Sequence, residues 1–360
     1  MNKANKAEKK LMYGNHALVE GVIHAGCRFF AGYPITPQNE IPEFMSIRMN
    51  EEGGVFVQTE SEIAAINMLF GAAAAGKRAM TSSSSPGISL MQEGISYIAG
   101  ADLPVLVVNV IRGGPGLGNI APAQSDYYQA TRGGGHGDYF TITLAPYSAQ
   151  DLFEFPRLAF ELAEKYRNPA LIVADGILGQ MMEPVEFSYE PIDPESLPEP
   201  EWALSGCKGR ERRVVRSYDL RPGKLEALNH QRTKKYEEIK KKEQRFDALE
   251  CDDADIVIVA YGTCARVCSA VIKMARSKGY KVGLLRPITL WPFPADVLAD
   301  LSKKVEHFLV VEMNCGQMID DVKLATECRS KISFHGRPGG GVPTPPEVLE
   351  KVEAILGGEK

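Results

Sequence analysis

The sequence predicts an α/β protein in which a larger parallel-sheet domain is followed by a smaller α/β domain. Three observations lead to this prediction. Short apolar segments alternate with longer helix-type segments in the first half, the middle of the chain is rich in proline and charge, and the alternation then starts again. Strands separated by helices are typical of a parallel sheet covered on both faces. The chain has 360 residues, which is enough for two domains. We place the first domain at residues 1–182, a connector with a charged helix at 183–250 and the second domain at 251–360.

The strands predicted for the first domain are short apolar runs bounded by turn residues. They are residues 27–31, 55–58, 79–82, 104–111 and 170–174. Residues 104–111 are nearly all Val, Leu and Ile, as expected of a strand buried on both faces. Helices are predicted where longer segments lie between these strands. They are residues 12–25, 60–75, 89–99 and 150–166.

The connector changes character along its length. Its first part, residues 183–200, carries five prolines and is predicted to be extended. Residues 224–244 are dense in charge and contain neither Gly nor Pro, which indicates a helix with a solvated face. Glutamates are interleaved with the lysines there, so a role in binding nucleic acid is not favoured.

The second domain repeats the strand–helix alternation. Predicted strands are residues 255–260, 281–285 and 308–311, and predicted helices are residues 265–277 and 294–301. Residues 337–346 are mostly Gly and Pro and are predicted to form a loop.

Composition excludes several classes of function. Lys and Arg number 41 against 46 Asp and Glu, so no strong basic field attracts nucleic acid or an anionic membrane. The seven cysteines are scattered, and the closest pair, Cys264 and Cys268, fits neither a CxxC site nor an iron–sulfur cluster. Reduced thiols in a cytoplasmic protein are therefore expected. Neither a membrane span nor, in residues 1–10, a signal peptide is expected.

The first candidate for a functional site is the loop of residues 32–37, Gly-Tyr-Pro-Ile-Thr-Pro, which directly follows a predicted strand. Its two prolines stiffen the backbone around the hydroxyl of Thr36. Ligands in open α/β sheets bind at the carboxyl ends of the strands, where this loop lies. An ordinary rigid turn would show the same residues.

A second candidate is the acidic pair Glu60 and Glu62 at the start of an apolar helix. Acidic residues are common there because they cap the helix and suit its dipole. Alternatively, one carboxylate is buried beside a heterocycle and relays a proton, with a pKa raised by burial.

A third candidate is Arg112, which ends the Val-rich strand and precedes a run containing four glycines. A guanidinium at the carboxyl end of a strand is suited to holding a carboxylate through two hydrogen bonds. The glycines do not match a dinucleotide-binding fingerprint, and a surface arginine in a flexible loop is the alternative. The serines at 82–85 and His136 are weaker candidates, for phosphate binding and base catalysis respectively.

Together these segments resemble the α subunits of 2-oxoacid:ferredoxin oxidoreductases, most closely those of the 2-oxoisovalerate (3-methyl-2-oxobutanoate) type. The resemblance covers nearly the whole chain. It is carried by residues 32–37, 60–62, 110–116, 260–263 and 286–294. The order of these segments across two domains makes the resemblance specific.

The resemblance implies a fold and a set of site residues. The first domain would be the pyrimidine-binding domain of a thiamine-diphosphate enzyme, and the second would be like the C-terminal domain of transketolases. Glu62 would bond the aminopyrimidine ring, with Glu60 as the second choice. Thr36 and Arg112 would meet the 2-oxo acid. Pro34 would lie against the cofactor, Ser85 is a further candidate for this contact, and no residue of this chain would bind a metal.

The resemblance also implies partners. The chain lacks the GDG motif that holds diphosphate and Mg²⁺ in such enzymes, since Gly137 and Asp138 are followed by Tyr139. A β subunit would supply that motif, and a ferredoxin-like subunit would supply [4Fe-4S] clusters. A γ subunit, coenzyme A and an external ferredoxin complete the expected system. The alternatives are a 2-oxoglutarate enzyme, a transketolase-like transferase subunit and a non-catalytic scaffold subunit.

Overall fold

The computed structural model describes residues 9–357, which form two mainly parallel sheets covered by helices and a third, two-stranded antiparallel sheet. The strands are β1 (Lys9–Tyr13), β2 (Phe29–Gly32), β3 (Val55–Gln58), β4 (Ala79–Ser83), β5 (Leu106–Ile111), β6 (Ile142–Leu144), β7 (Ala170–Asp175), β8 (Met182–Glu186), β9 (Phe246–Leu249), β10 (Ile256–Val259), β11 (Val282–Pro287), β12 (Thr289–Trp291), β13 (His307–Glu312) and β14 (Lys331–Gly336). The helices are α1 (Gly14–His24), α2 (Glu40–Glu51), α3 (Glu62–Ala74), α4 (Ser85–Gly100), α5 (Tyr127–Thr131), α6 (Ala149–Tyr166), α7 (Gly176–Gln180), α8 (Lys224–Lys242), α9 (Gly262–Ser277), α10 (Ala295–Leu301), α11 (Met318–Thr326) and α12 (Pro345–Leu356).

The described range bears on two expectations about membranes and targeting. None of its helices combines the length and the apolar character needed to cross a bilayer. The expectation that no signal peptide is present concerns mainly residues 1–8, which lie outside the described residues.

The larger sheet has seven strands in the order β12-β6-β7-β5-β4-β2-β3. Its strands run parallel except β12, which pairs antiparallel with β6. From β2 the chain goes to β3 on one side and then returns to β4 on the other side. The strand order therefore reverses between β2 and β4, and such a switch point opens a crevice at the carboxyl ends of the strands. This confirms the predicted α/β class.

The smaller sheet has five strands in the order β14-β13-β10-β11-β9, with only β9 antiparallel. Helices α9 and α12 pack together beside it, and α10 packs on α11. Although β12 lies within residues 251–360, it extends the larger sheet. The domain boundaries stay predictions.

A buried glutamine joins the two sheets. Gln124 Nε2 donates to the carbonyl of Tyr261 at 2.9 Å, and Gln124 Oε1 accepts from the amide of Met313 at 2.9 Å. The Gln124 main chain bonds Met313 and the side chain of Asn314 as well. These bonds satisfy polar groups that burial would otherwise leave unpaired, so they fix one sheet against the other.

The charged helix α8 matches its predicted position, but it is not solvated on all sides. Tyr236 and Ile239 are buried against the larger domain. Lys235 Nζ donates to Asp102 Oδ1 at 2.8 Å, and Arg232 bonds the carbonyl of Gly100.

Several boundaries differ from the predictions, among them the starts of α4 and α12. Helix α4 begins at Ser85, four residues before the predicted start, so its first turn follows β4 almost directly. The loop predicted at 337–346 ends at Thr344, because the two prolines that follow occupy the first turn of α12. Proline is tolerated there since the first helical amides need no partner within the helix.

Candidate active site

The predicted site residues lie at the carboxyl edge of the larger sheet, around its switch point. Thr36 follows β2, Glu62 follows β3, Ser85 follows β4 and Arg112 follows β5. Since these four strands are neighbours and parallel, their carboxyl ends meet at the same edge. The fold thus gathers side chains that are up to 76 residues apart in the sequence.

Arg112 spans the switch point and is 7% exposed. One terminal nitrogen, Nη1, donates to the carbonyl of Thr36 at 3.0 Å, and Nη2 donates to the carbonyl of Leu117 at 3.2 Å. Because β4 lies between β5 and β2, the side chain crosses the end of β4 to reach Thr36. This placement differs from the surface arginine in a flexible loop that was the alternative.

The start of α4 holds Arg112 in place. The Ser85 hydroxyl accepts from the Arg112 amide at 3.1 Å and donates to the Arg112 carbonyl at 3.3 Å. The Ser85 amide in turn donates to Asn109 Oδ1 at 3.1 Å, and Asn109 Nδ2 donates to Asp126 Oδ2 at 2.9 Å. Burial raises the pKa of Asp126, while hydrogen bonds from Ser85 and Asn109 oppose that rise. A partly buried chain of hydrogen bonds therefore links the main chain of Arg112 to residue 126.

Glu62 is the first residue of α3 and is only 5% exposed. Ser61 caps this helix, since its hydroxyl accepts from the amide of Ala64 at 3.3 Å. Glu62 Oε1 instead accepts a long hydrogen bond of 3.4 Å from the hydroxyl of Ser83. Within residues 9–357 no Lys, Arg or His lies within ion-pair distance of Glu62. A nearly buried carboxylate with one weak donor keeps acceptor capacity for a ligand.

A glycine in α4 makes room for this carboxylate. A Cβ atom on Gly87 would lie 2.4 Å from Glu62 Oε1 and 2.0 Å from Ser83 Oγ. Both distances are far shorter than van der Waals contact. Any side chain at position 87 would therefore displace Glu62 or Ser83.

A buried glutamine shapes the loop of residues 32–37. Gln38 Nε2 donates to the carbonyl of Tyr33 at 3.3 Å, and the hydroxyl of Ser82 donates to Gln38 Oε1 at 2.6 Å. Asn39 Nδ2 donates to Thr36 Oγ1 at 3.3 Å. The half-buried Thr36 is thus fixed through both its carbonyl and its hydroxyl.

The structure brings together some of the predicted residues and separates others. Thr36, Ser85 and Arg112 are joined directly by hydrogen bonds. Glu62 accepts from Ser83 at the end of β4 and lies against Gly87 in the first turn of α4. Glu60 is exposed at the helix start, and Pro34 is exposed on its loop.

Three supporting residues were not predicted, namely Gln38, Gly87 and Asn109. Only Asn109 leaves a signal in the sequence, because it is the one polar residue inside an otherwise aliphatic strand. Such a residue needs a buried hydrogen-bond partner, which predicts a network at that point.

Two family profiles match the chain. The profile described as "Pyruvate flavodoxin/ferredoxin oxidoreductase, thiamine diP-bdg" matches residues 20–242. The profile described as "Pyruvate:ferredoxin oxidoreductase core domain II" matches residues 254–348. Together they cover all strands of the seven-stranded sheet and all strands of the five-stranded sheet except β9.

Curated relatives are similar over almost their full length. The ketoisovalerate oxidoreductase subunit VorB of Methanothermobacter thermautotrophicus is 47% identical over 97% of this chain and 98% of that protein. The 2-oxoglutarate synthase subunit KorA of the same organism is 38% identical over 96% of this chain and 98% of that protein.

Solved structures are similar as well. The 2-oxoglutarate:ferredoxin oxidoreductase from Magnetococcus marinus superposes with a TM-score of 0.85 at 26% identity, covering 98% of this chain. This chain spans 66% of that solved chain, just under two thirds of its length. A split gene transketolase superposes with a TM-score of 0.60 at 13% identity, covering 97% of this chain and 99% of that one, and so shows the fold alone. The predicted likeness to transketolases is confirmed at the level of fold.

Proposed function

Since the chain belongs to the thiamine-diphosphate-dependent 2-oxoacid:ferredoxin oxidoreductases, we propose that it is the α subunit of an enzyme specific for a branched-chain 2-oxo acid. The proposed reaction converts 2-oxoisovalerate and coenzyme A into the acyl-CoA and CO₂, with ferredoxin as the electron acceptor. One observation carries the proposal: a buried carboxylate, Glu62, and a buried guanidinium, Arg112, lie at the same switch point of the sheet.

The choice of substrate rests on the relatives. A ketoisovalerate subunit is 47% identical to this chain, and a 2-oxoglutarate subunit of the same organism is 38% identical, with nearly equal coverage. The second candidate is 2-oxoglutarate, which is favoured by the name of the superposed enzyme from Magnetococcus marinus.

The donors and acceptors at this edge fit the pyrimidine half of thiamine diphosphate. Glu62 offers an acceptor in a nearly buried position and has a single long hydrogen bond within residues 9–357. A ring nitrogen that carries a proton would complete its hydrogen bonding. When bound, the cofactor supplies the carbon nucleophile and the electron sink for the loss of CO₂.

Glu62 would hold and exchange a proton at that ring nitrogen. Its burial favours this role, because a carboxylate away from water interacts strongly with a neighbouring N–H group. Because position 87 is a glycine, the carboxylate of Glu62 has room beside α4, and the hydroxyl of Ser83 orients this carboxylate.

Arg112 would hold the carboxylate of the substrate. A guanidinium has five N–H groups, and here the carbonyls of Thr36 and Leu117 take one each. The Nε–H of Arg112 is buried and has no hydrogen-bond partner among residues 9–357, and each terminal nitrogen has a second hydrogen. Three donors therefore remain for a planar anion. Thr36 lies next to them with its hydroxyl.

The remaining parts of the enzyme belong to the proposal as partner subunits. A β subunit would supply the motif that binds diphosphate and Mg²⁺, and a ferredoxin-like subunit would supply [4Fe-4S] clusters. A γ subunit would complete the assembly. The relatives are named as subunits of larger enzymes, which supports a hetero-oligomer.

The test is a pull-down of the tagged chain from anaerobic lysate of the native organism. The eluate is assayed for coenzyme-A-dependent viologen reduction with 2-oxoisovalerate, 2-oxoglutarate, pyruvate and indolepyruvate. We expect an iron–sulfur subunit in the eluate and the highest kcat/KM for 2-oxoisovalerate. A highest value for another acid would overturn the substrate assignment. Partners that co-elute without activity on any of the acids would overturn the proposed reaction.

A further inference from the structure

The glycine-rich loop after β5 carries an exposed leucine whose main chain contacts the guanidinium of Arg112. The carbonyl of Leu117 accepts from Arg112 Nη2 at 3.2 Å, so the two residues are in direct contact. Leu117 itself is 83% exposed. Its neighbours in the loop include the glycines at 113, 114, 116 and 118, which add no side chains. Leu117 is thus a free apolar group next to the proposed carboxylate-binding group.

Hydrogen bonds within the loop fix the position of Leu117. The amide of Asn119 donates to the carbonyl of Gly113 at 3.0 Å, and Asn119 Nδ2 donates to the carbonyl of Gly339 at 3.0 Å. Gly118 has a φ of +59°, and a Cβ atom there would lie 1.8 Å from the Gly113 carbonyl oxygen. The loop therefore closes tightly, and Leu117 is held between Arg112 on one side and the Asn119 bonds on the other.

We propose that Leu117 determines specificity for the alkyl chain of the 2-oxo acid. The inference rests on the proposed function, in which Arg112 holds the substrate carboxylate. In a 2-oxo acid only the carbonyl carbon separates the carboxylate from the alkyl chain. The main chain of Leu117 contacts the group that would hold the carboxylate, and its side chain is exposed at that point of the loop.

The chemistry of leucine favours one class of substrate. A branched alkyl chain against Leu117 removes apolar surface of both groups from water. The methyl group of pyruvate buries less surface. The second carboxylate of 2-oxoglutarate would lose hydration against leucine without gaining a partner, which is unfavourable.

The experiment compares variants of the purified complex. Leu117→Ala removes the apolar contact, Leu117→Lys places a cation where a second carboxylate would lie, and Ile120→Ala is the matched control. Ile120 lies in the same loop and is 64% exposed, but its main chain does not bond Arg112. The measured quantities are kcat/KM for 2-oxoisovalerate, pyruvate and 2-oxoglutarate, and the subunit composition on gel filtration.

We expect Leu117→Ala to lower the preference for 2-oxoisovalerate over pyruvate by about tenfold, the size typical of lost apolar contact in a pocket. Leu117→Lys should lower the preference for 2-oxoisovalerate over 2-oxoglutarate by at least about tenfold. Ile120→Ala should change neither ratio.

Two results would overturn the inference while the proposed function stands. One is an active wild-type complex in which both Leu117 variants keep the wild-type ratios. The other is loss of subunits from the Leu117→Ala complex, which would make Leu117 a contact between subunits. A wild-type complex that oxidises no 2-oxo acid would instead refute the proposed function, and the inference with it.

Discussion

Arg112 uses two of its five N–H groups on main-chain carbonyls and has three left for a ligand. A lysine has one compact ammonium group and cannot make these contacts and hold a carboxylate through two bonds. We predict that Arg112→Lys in the assembled complex lowers kcat/KM by about 10- to 100-fold, the value of a charged hydrogen bond. The loss should fall mainly on KM if the bonds form equally in the ground and transition states.

Steady-state kinetics with 2-oxoisovalerate measure this effect. Arg157→Lys is the control, because Arg157 lies on the exposed face of α6 and pairs with Glu161 at 2.9 Å. A kcat/KM unchanged by Arg112→Lys would remove Arg112 from the substrate site.

At the scale of the element, the first turn of α4 is the part of the fold on which the site depends most. It follows β4 after a single residue, it carries Ser85 and Gly87, and it lies against Glu62. A side chain at position 87 would overlap the carboxylate of Glu62 and the hydroxyl of Ser83.

We predict that Gly87→Ala reduces the activity of the complex by at least about tenfold, because a small misplacement of a catalytic group has a large effect on the rate. Gly71→Ala is the matched control in α3. Its Cβ atom would meet no atom within 4 Å, and alanine favours a helix over glycine. Assays and thermal unfolding of the two variants should show lower activity only in the first. Wild-type activity in Gly87→Ala would contradict the packing described for Glu62.

The elements that the sequence predicts best are those with a local signal. Strand β3 begins and ends at the predicted residues, and the aliphatic strands β5 and β7 lie within about two residues of their predictions. Helix α2 was not predicted, because the prolines at 34, 37 and 42 indicate a turn or loop where the helix begins. Strand β12 has three residues and forms only by pairing with β6, about 145 residues away, which no local pattern indicates.

The site shows the same division. The positions of Thr36, Glu62 and Arg112 next to predicted strands made them candidates, and the family resemblance gave them their roles and favoured Glu62 over Glu60. The supporting residues depend on partners far along the chain, as in the hydrogen bond between Gln38 and Ser82, which are 44 residues apart. The hydrophobic pattern and the composition of the sequence do not predict these long-range contacts, which form only when the chain folds.

At the scale of the whole molecule, Gln124 is a main link between the two sheets. Removing its side chain would leave the amide of Met313 buried without its partner, whereas the carbonyl of Tyr261 would still accept from the amide of Ala265. An unpaired buried group costs about 1–3 kcal/mol. We predict that Gln124→Ala lowers the apparent Tm by about 5 °C.

Gln231→Ala is the control for this variant, because Gln231 is an exposed residue of α8. Calorimetry of both variants tests the prediction. Equal Tm values for Gln124→Ala and the wild-type chain would show that the link between the sheets does not depend on this side chain.

The central claim is that Glu62 is the carboxylate of this site, and a pair of variants of the complete complex tests it most directly. Glu62→Gln keeps the shape of a side chain that is 5% exposed, while Glu60→Gln makes the same change two residues earlier on the surface. The measurement is the rate of coenzyme-A-dependent viologen reduction with 2-oxoisovalerate, with gel filtration to check assembly. We predict an assembled Glu62→Gln complex whose rate falls by at least about 100-fold, as for the loss of a proton-transferring group, and a Glu60→Gln complex at the wild-type rate. Full activity of Glu62→Gln, or an equal loss in both variants, would contradict the claim.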